Sequence, residues 1–228
     1  MIKTTLPDKH IIVIAGHYGS GKTEIALNMA IALKNDNEKV TLVDLDIVNP
    51  FFRSAEQEEL LSDHEIELLK PLYANTAVDI PSLPPQIQGV FMREDTRVIF
   101  DVGGDDAGAA ALGTYAPQFS VCEKDFYMVV NPYRPRCCTV DQIVQMHHAI
   151  ARRARMMPTA LICNANLGDE TTPEDVLNGL DIVKEAAKEL NLPVSYICVR
   201  SSIADKLENG IIPVFPIERY LKPEWMEV

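Results

Sequence analysis

Residues 10–30 read HIIVIAGHYGSGKTEIALNMA, and the rest of the chain can be placed around them. The run from His10 to Gly16 is short, apolar and rich in β-branched residues. That composition predicts a strand buried on both faces, as in a parallel sheet. From Gly21 to Asn35, the residues Ile25, Ala26, Leu27, Met29, Ala30 and Leu33 predict a packed helix, which the polar stretch NDNEK ends. Between them lies GHYGSGKT, Gly16–Thr23, with the spacing G-x-x-x-x-G-K-[ST]. Glycines let the backbone curl tightly and aim its N–H groups at phosphate oxygens, and the following helix adds its positive N-terminal end. Lys22 is then expected to reach the terminal phosphates, and Thr23 to offer its hydroxyl to magnesium.

The pattern continues outward. Apolar runs at 39–46, 96–104, 125–131, 159–165 and 193–200 predict further strands, and GIIPVFPI at 210–217 a weaker one broken by prolines. Helical spacing marks 139–155 and 174–190. Strands alternating with helices imply an α/β fold, a doubly wound, mostly parallel sheet with helices on both faces. Residues 71–90 carry four prolines and read as a long irregular connection.

Bulk properties bound the function classes. The chain has 228 residues, 47% hydrophobic, enough for one sizeable core. Lys+Arg number 21 and Asp+Glu 33, a net charge of −12, so general nucleic-acid binding is not expected. Arg152, Arg153 and Arg155 cluster at a predicted helix end, where cations suit the dipole. The five cysteines show no metal-ligand spacing. Cys163 and Cys198 read as buried hydrophobes, whereas Cys137–Cys138 reads as a helix-start coincidence or as a redox or metal pair. His147 and His148 lack acidic or cysteine partners at ligand spacing and read as core or surface residues. No signal-like apolar region opens the sequence, and no run approaches the ~20 residues of a membrane span. A cytoplasmic protein without membrane attachment is the expectation.

Acidic residues stand where a parallel sheet places its ligands, at strand ends. Asp44 and Asp46 are two apart in VTLVDLDIVNP and so share a face. Asp101 ends the run VIFD and is followed by Gly103 and Gly104. An acid there suits a second magnesium contact, and the D-x-x-G spacing suits a loop whose N–H senses a γ-phosphate. Asp105 and Asp106 read as a solvated helix start. Phe51 and Phe52 either pack under their loop or dock a partner in one nucleotide state. Arg134 and Arg136 either touch phosphate or an acidic substrate, or are solvated loop charges.

Taken together, GHYGSGKT, VTLVDLDIVNP and FDVGG resemble the MinD/ParA-type P-loop ATPases, the deviant Walker A group also described as CobQ/CobB/MinD/ParA nucleotide-binding domains. The resemblance runs from residue 10 to about 217 and implies a SIMIBI-like P-loop NTPase, a single nucleotide-binding domain over 1–228. It implies nucleotide contacts from Gly16, His17, Gly19, Ser20, Gly21, Lys22, Thr23 and Glu24. It gives magnesium to Thr23, Asp44, Asp46 and Asp101, and catalysis to Lys22 and Asp46, the latter orienting water. Gly103 and Gly104 would form the switch loop. Asn164, in LICNAN, resembles the strand-end asparagine that touches the base, and Pro213 resembles the late loop that packs on it. His17 stands where the family has a signature lysine that crosses a dimer; it either donates to phosphate as a weaker substitute or is an ordinary occupant. Glu24 replaces the usual small hydroxyl residue.

Asn164–Leu167 lacks the aspartate of a guanine-reading Asn-Lys-x-Asp loop in that register, so ATP is expected over GTP. The resulting reading is a magnesium-dependent, slow ATPase that binds ATP and ADP, forms a homodimer and switches a protein partner. The alternative is an ATP-dependent kinase or ligase acting on a small metabolite, with a non-catalytic or metal-delivery adaptor that uses Cys137–Cys138 as a third possibility.

Overall fold

The computed structural model describes residues 6–45, 55–70, 85–104, 106–207 and 210–221. In it β1 (Ile11–Gly16) is buried along its whole length, as its unbroken apolar run requires. The chain continues through α1 (Lys22–Asn35), β2 (Val40–Asp44), α2 (Ala55–Asp63), β3 (Glu67–Leu69), α3 (Pro85–Val90), β4 (Arg97–Asp101), α4 (Asp106–Thr114) and α5 (Ala116–Ser120). It ends with β5 (Lys124–Val130), α6 (Val140–Ala154), β6 (Ala160–Cys163), α7 (Pro173–Leu190), β7 (Val194–Arg200), α8 (Ser201–Ala204) and β8 (Val214–Ile217).

The strands form one eight-stranded sheet in the order β3-β2-β4-β1-β5-β6-β7-β8, and every pairing is parallel. Strand order turns at β1, which lies between β4 and β5. That is the switch point outside which open parallel sheets bind ligands. Residue alternation divides β1 between the two faces. Ile12 and Ile14 join α1 in one core, and Ile11, Val13 and Ala15 join Leu112 and Phe119 in another. A third core seats α6 and α7 against β5, β6 and β7. Helices therefore cover both faces, as expected.

Several elements differ from the sequence reading. The stretch 71–90 is not wholly irregular, because α3 begins at Pro85, and proline is well suited to a first helical turn. α2 and α4 were not expected as full helices. α2 reads AEQEELLSD, too polar to show a stripe, and α4 reads DAGAAALGT, too small-residue-rich. β3 is only three residues long and gains its hydrogen bonds from β2. The strand expected over 210–217 is confined to its last four residues. Asp46, Phe51, Phe52 and Asp105 lie outside the described residues.

Two helix starts are fixed locally. Thr139 caps α6 by accepting from Gln142 N, and Thr172 with Asp175 forms a reciprocal capping box on α7. α4 and α6 meet closely enough that a Cβ on Gly113 would stand 2.4 Å from the Arg153 carbonyl oxygen. His147 of α6 is buried, and burial, with His148 beside it, lowers its pKa and keeps it neutral. Cys163 and Cys198 are buried as expected, and burial raises both thiols, Cys163 to about 12. Among the described residues, no helix is long and apolar enough to cross a membrane.

Candidate functional site

The loop after β1 is built around a buried amine. Ser20 N donates to His17 O at 3.1 Å and closes a turn. Lys22, only 7% exposed, donates from Nζ to the same carbonyl at 3.0 Å. Gly19 (φ 73°) and Gly21 (φ 92°) are left-handed, which glycine adopts without strain. Gly21 also has no room for a side chain, since a Cβ there would sit 2.3 Å from Asn164 Nδ2. That amide donates to Ser20 O at 2.7 Å and ties the end of β6 to the loop. Asn164 Oδ1 is buried without a hydrogen-bond partner.

Two acids flank the loop from the neighbouring strands. Asp44 and Asp101 are register partners at the ends of β2 and β4, 4% and 3% exposed. With Thr23 at the start of α1, they offer one hydroxyl and two carboxylates. This all-oxygen set fits magnesium, which commonly takes one or two carboxylates and leaves its other positions to water and phosphate. Among the described residues there is no cluster of three or more His, Cys, Asp or Glu that would cage a metal. Cys137 is buried against the Met146 sulfur at 3.7 Å, while Cys138 is exposed.

Beyond Asp101, the D-x-x-G stretch turns onto the P-loop. A Cβ on Gly104 would stand 2.7 Å from Tyr18 N and Cα, and 2.8 Å from Lys22 Nζ. The spacing read from sequence thus brings Gly104 to the corner that holds the lysine.

Two cavities flank the loop. A cavity of ≈ 230 Å³ opens beside Gly19 and Gly21 and is walled by Arg134, Asn131, Asn164, Asn166, Asp169 and Arg200, with Ile217 to Leu221 on the far side. A larger cleft of ≈ 750 Å³ opens beside Gly16, His17 and Tyr18, between Gly104 and α6. His17 lines the cleft, and burial, then Arg136 and Lys22, hold its pKa below the usual histidine value.

Residues 11–214 match the family model described as the CobQ/CobB/MinD/ParA nucleotide binding domain. The chain belongs to this family. No curated protein matches it by sequence. Among solved structures it is similar to chloroplast FtsY from Physcomitrella patens, at 16% identity and a TM-score of 0.53, covering 86% of this chain and 60% of that one. It is also similar to the signal recognition particle receptor FtsY from Elizabethkingia anophelis in complex with GDP, at 18% identity and a TM-score of 0.50, covering 86% of this chain and 59% of that one. Both show a shared P-loop fold, and this chain spans about three-fifths of their length.

Among the residues expected from the resemblance, Pro213 is one whose position is described. It precedes β8, where its carbonyl accepts from Ile197 N, and it does not line the cavity. The wall is formed at the other end of β8 by Ile217, Glu218, Arg219 and Leu221. A sequence reading could not reach this, because contacts 190 or more residues apart in sequence seat that segment. Asn28 Oδ1 accepts from Glu218 N at 2.7 Å, and Asn28 Nδ2 donates to Glu218 O at 2.8 Å. Glu24 accepts from Tyr220 N at 2.6 Å and Leu221 N at 3.2 Å. Burial pushes the Glu24 carboxyl up, while these N–H groups pull it down. Glu24 thus lines the cavity with its carboxylate engaged by the chain itself.

Glu24→Ala is expected to release that wall and weaken ATP binding about tenfold, leaving tripolyphosphate affinity unchanged, because carboxylate-to-N–H bonds contribute about 1.5 kcal/mol or more. Competition titrations with the two ligands check this; equal losses would place Glu24 at the phosphates instead.

Other lining residues carried weaker signals. Arg134 lies over the loop, 3.7 Å from where a Gly19 Cβ would be. Asn166 and Asp169 have an Asn-x-x-Asp spacing two residues on from the register tested from Asn164. Their side chains are already engaged, Asp169 with Arg200 and Arg219, and Asn166 with Gly168 N and Thr171.

Proposed function

We propose that residues 1–228 act as one nucleotide-binding domain that binds magnesium–ATP, hydrolyses it slowly in the cytoplasm and, as a homodimer, switches a partner protein. The observation that carries this reading is the corner where Gly104 meets Tyr18 and Lys22. A terminal phosphate reached by Lys22 would enter the same corner and press on the Gly104 loop. Whether that phosphate is present would therefore change the position of the loop and α4 behind it.

Lys22 would neutralise charge on the terminal phosphate oxygens, and Thr23, Asp44 and Asp101 would hold magnesium. Bound there, the metal supplies further charge neutralisation on the phosphates. Asp46 would orient the attacking water. Water oxygen would bond to the γ-phosphorus as the bond to the β–γ bridging oxygen breaks; a proton from the water passes to solvent, and ADP and inorganic phosphate leave.

Adenine is favoured by the stretch from Asn164 to Leu167, which lacks the aspartate of a guanine-reading Asn-Lys-x-Asp loop in that register. The guanine alternative would use Asp169, whose carboxylate is committed to two arginines.

Hydrogen exchange over residues 102–114, compared between magnesium–ADP and a slowly hydrolysed ATP analogue, tests the switch. Distinct protection is expected, and superimposable exchange would remove this reading. The metabolite-enzyme alternative is favoured by the ≈ 750 Å³ cleft.

A further inference from the structure

The chain leaves β5 beside the P-loop, because Val129 and Gly16 are register partners. The loop that follows is fixed along its backbone. Buried Asn131 accepts at Oδ1 from Tyr133 N at 3.1 Å and Asn166 N at 3.3 Å, and donates from Nδ2 to Asn166 O at 2.9 Å. Tyr133 OH donates to Asp175 O at 2.6 Å, which pins the loop to α7. Arg134 N donates to Asn131 O at 3.0 Å, and Arg134 O accepts from Cys137 N at 3.1 Å. The side chain of Arg134 then lies over the phosphate loop. Its Nε is 3.7 Å, and its Cδ 3.9 Å, from where a Gly19 Cβ would be.

Arg134 lines the ≈ 230 Å³ cavity together with Gly19 and Gly21, whereas the Lys22 amine stands at the Gly104 corner beside the larger cleft. The P-loop therefore has a cation on each side. A polyphosphate brings several negative charges to a site that already holds Asp44 and Asp101, and each nearby cation lowers the cost of gathering them. A guanidinium offers paired N–H donors to phosphate oxygens, and a fixed backbone leaves less of it to order. Of the acids in the same lining, Glu24 is engaged by Tyr220 N and Leu221 N, Asp169 by Arg200 and Arg219, and Glu218 stands on the far wall. We infer that Arg134 is a phosphate-binding residue that grips the phosphates nearer the nucleoside, the ones ADP and ATP share. This role rests on the reading that the P-loop holds nucleotide.

Competition titrations of the full chain with ADP, ATP and tripolyphosphate, all with magnesium, test the role. Arg134→Ala is expected to weaken each of the three about tenfold. That pattern differs from Glu24→Ala, which should spare tripolyphosphate. Arg134→Gln keeps part of the stem over Gly19 and removes the charge, and the same loss is expected. Arg155→Ala removes an equal charge just beyond the last turn of α6, at the opposite end of the sheet, and should leave all three affinities unchanged. Thermal unfolding of the Arg134 variants should stay close to wild type, as for other exposed substitutions.

Wild-type binding left intact by both Arg134→Ala and Arg134→Gln overturns the inference alone. A loss seen with alanine but not with glutamine also overturns it, because packing over Gly19 would then be the cause. Loss for ATP with ADP unchanged would put the guanidinium at the terminal phosphate, again against it. An equal loss in Arg155→Ala would make the effect one of net charge and overturn it too. A wild-type chain that binds none of the three ligands would instead remove the proposed function, and this role with it.

Discussion

Lys22→Ala is expected to weaken magnesium–ATP binding by about two orders of magnitude or more, since charge-assisted bonds to phosphate contribute about 1.5–3 kcal/mol each. The effect is large because the amine is held in place before any ligand arrives. It is 7% exposed and already oriented by His17 O at 3.0 Å. Little side-chain entropy remains to be lost on binding, so most of the charge attraction is realised. Lys22→Arg is not expected to rescue, because a planar guanidinium does not replace a point charge inside so tight a loop. Thermal stability is expected to fall by at least the bond to His17 O, about 1 kcal/mol. Fluorescent-nucleotide titration beside thermal unfolding separates the two quantities. Unchanged ATP affinity in a folded Lys22→Ala protein would end the nucleotide assignment.

Gly16→Ala is expected to destabilise the fold by about 3 kcal/mol through overpacking, lowering Tm by roughly 6–12 °C. A Cβ at Gly16 would sit 2.4 Å from Val129 O and 2.9 Å from Ser20 Oγ. The first neighbour is backbone, and Gly16 and Val129 are register partners between β1 and β5. Neither can move without parting two central strands. Gly89→Ala provides the contrast. It lies in α3 with nothing within 4 Å of its would-be Cβ, so alanine there should be neutral or slightly stabilising. Differential scanning calorimetry of both variants checks the pair, and equal melting temperatures would refute the steric argument.

Legibility followed the range of the interactions. β1, the P-loop and α1 were readable because burial on both faces, left-handed turns and helical spacing are encoded within a few neighbouring residues. Gly104 was readable for the same reason, as its three-residue distance from Asp101 already marks a turn at a strand end. α4 was not, because alanine and glycine give no hydrophobic stripe. Its Gly113 is explained only by the Arg153 carbonyl of another helix. Arg136 looked like a solvated loop charge until α6 and the P-loop enclosed the cleft beside it.

The sequence by itself determined a phosphate-gripping loop between a buried strand and a helix, two strand-end acids beside it, and the alternation that winds a parallel sheet. Tertiary structure decided what surrounds the grip. It walled the ≈ 230 Å³ cavity with Ile217, Glu218, Arg219 and Leu221 and placed Glu24 and Asn28 as the anchors of that segment. It also set His17 beside Arg136 and opened a cation-lined cleft on the far side of the loop. The physical reason is distance along the chain. Backbone conformation answers to neighbours in sequence, whereas a cavity exists only where the order of strands at β1 brings distant loops to one end of the sheet.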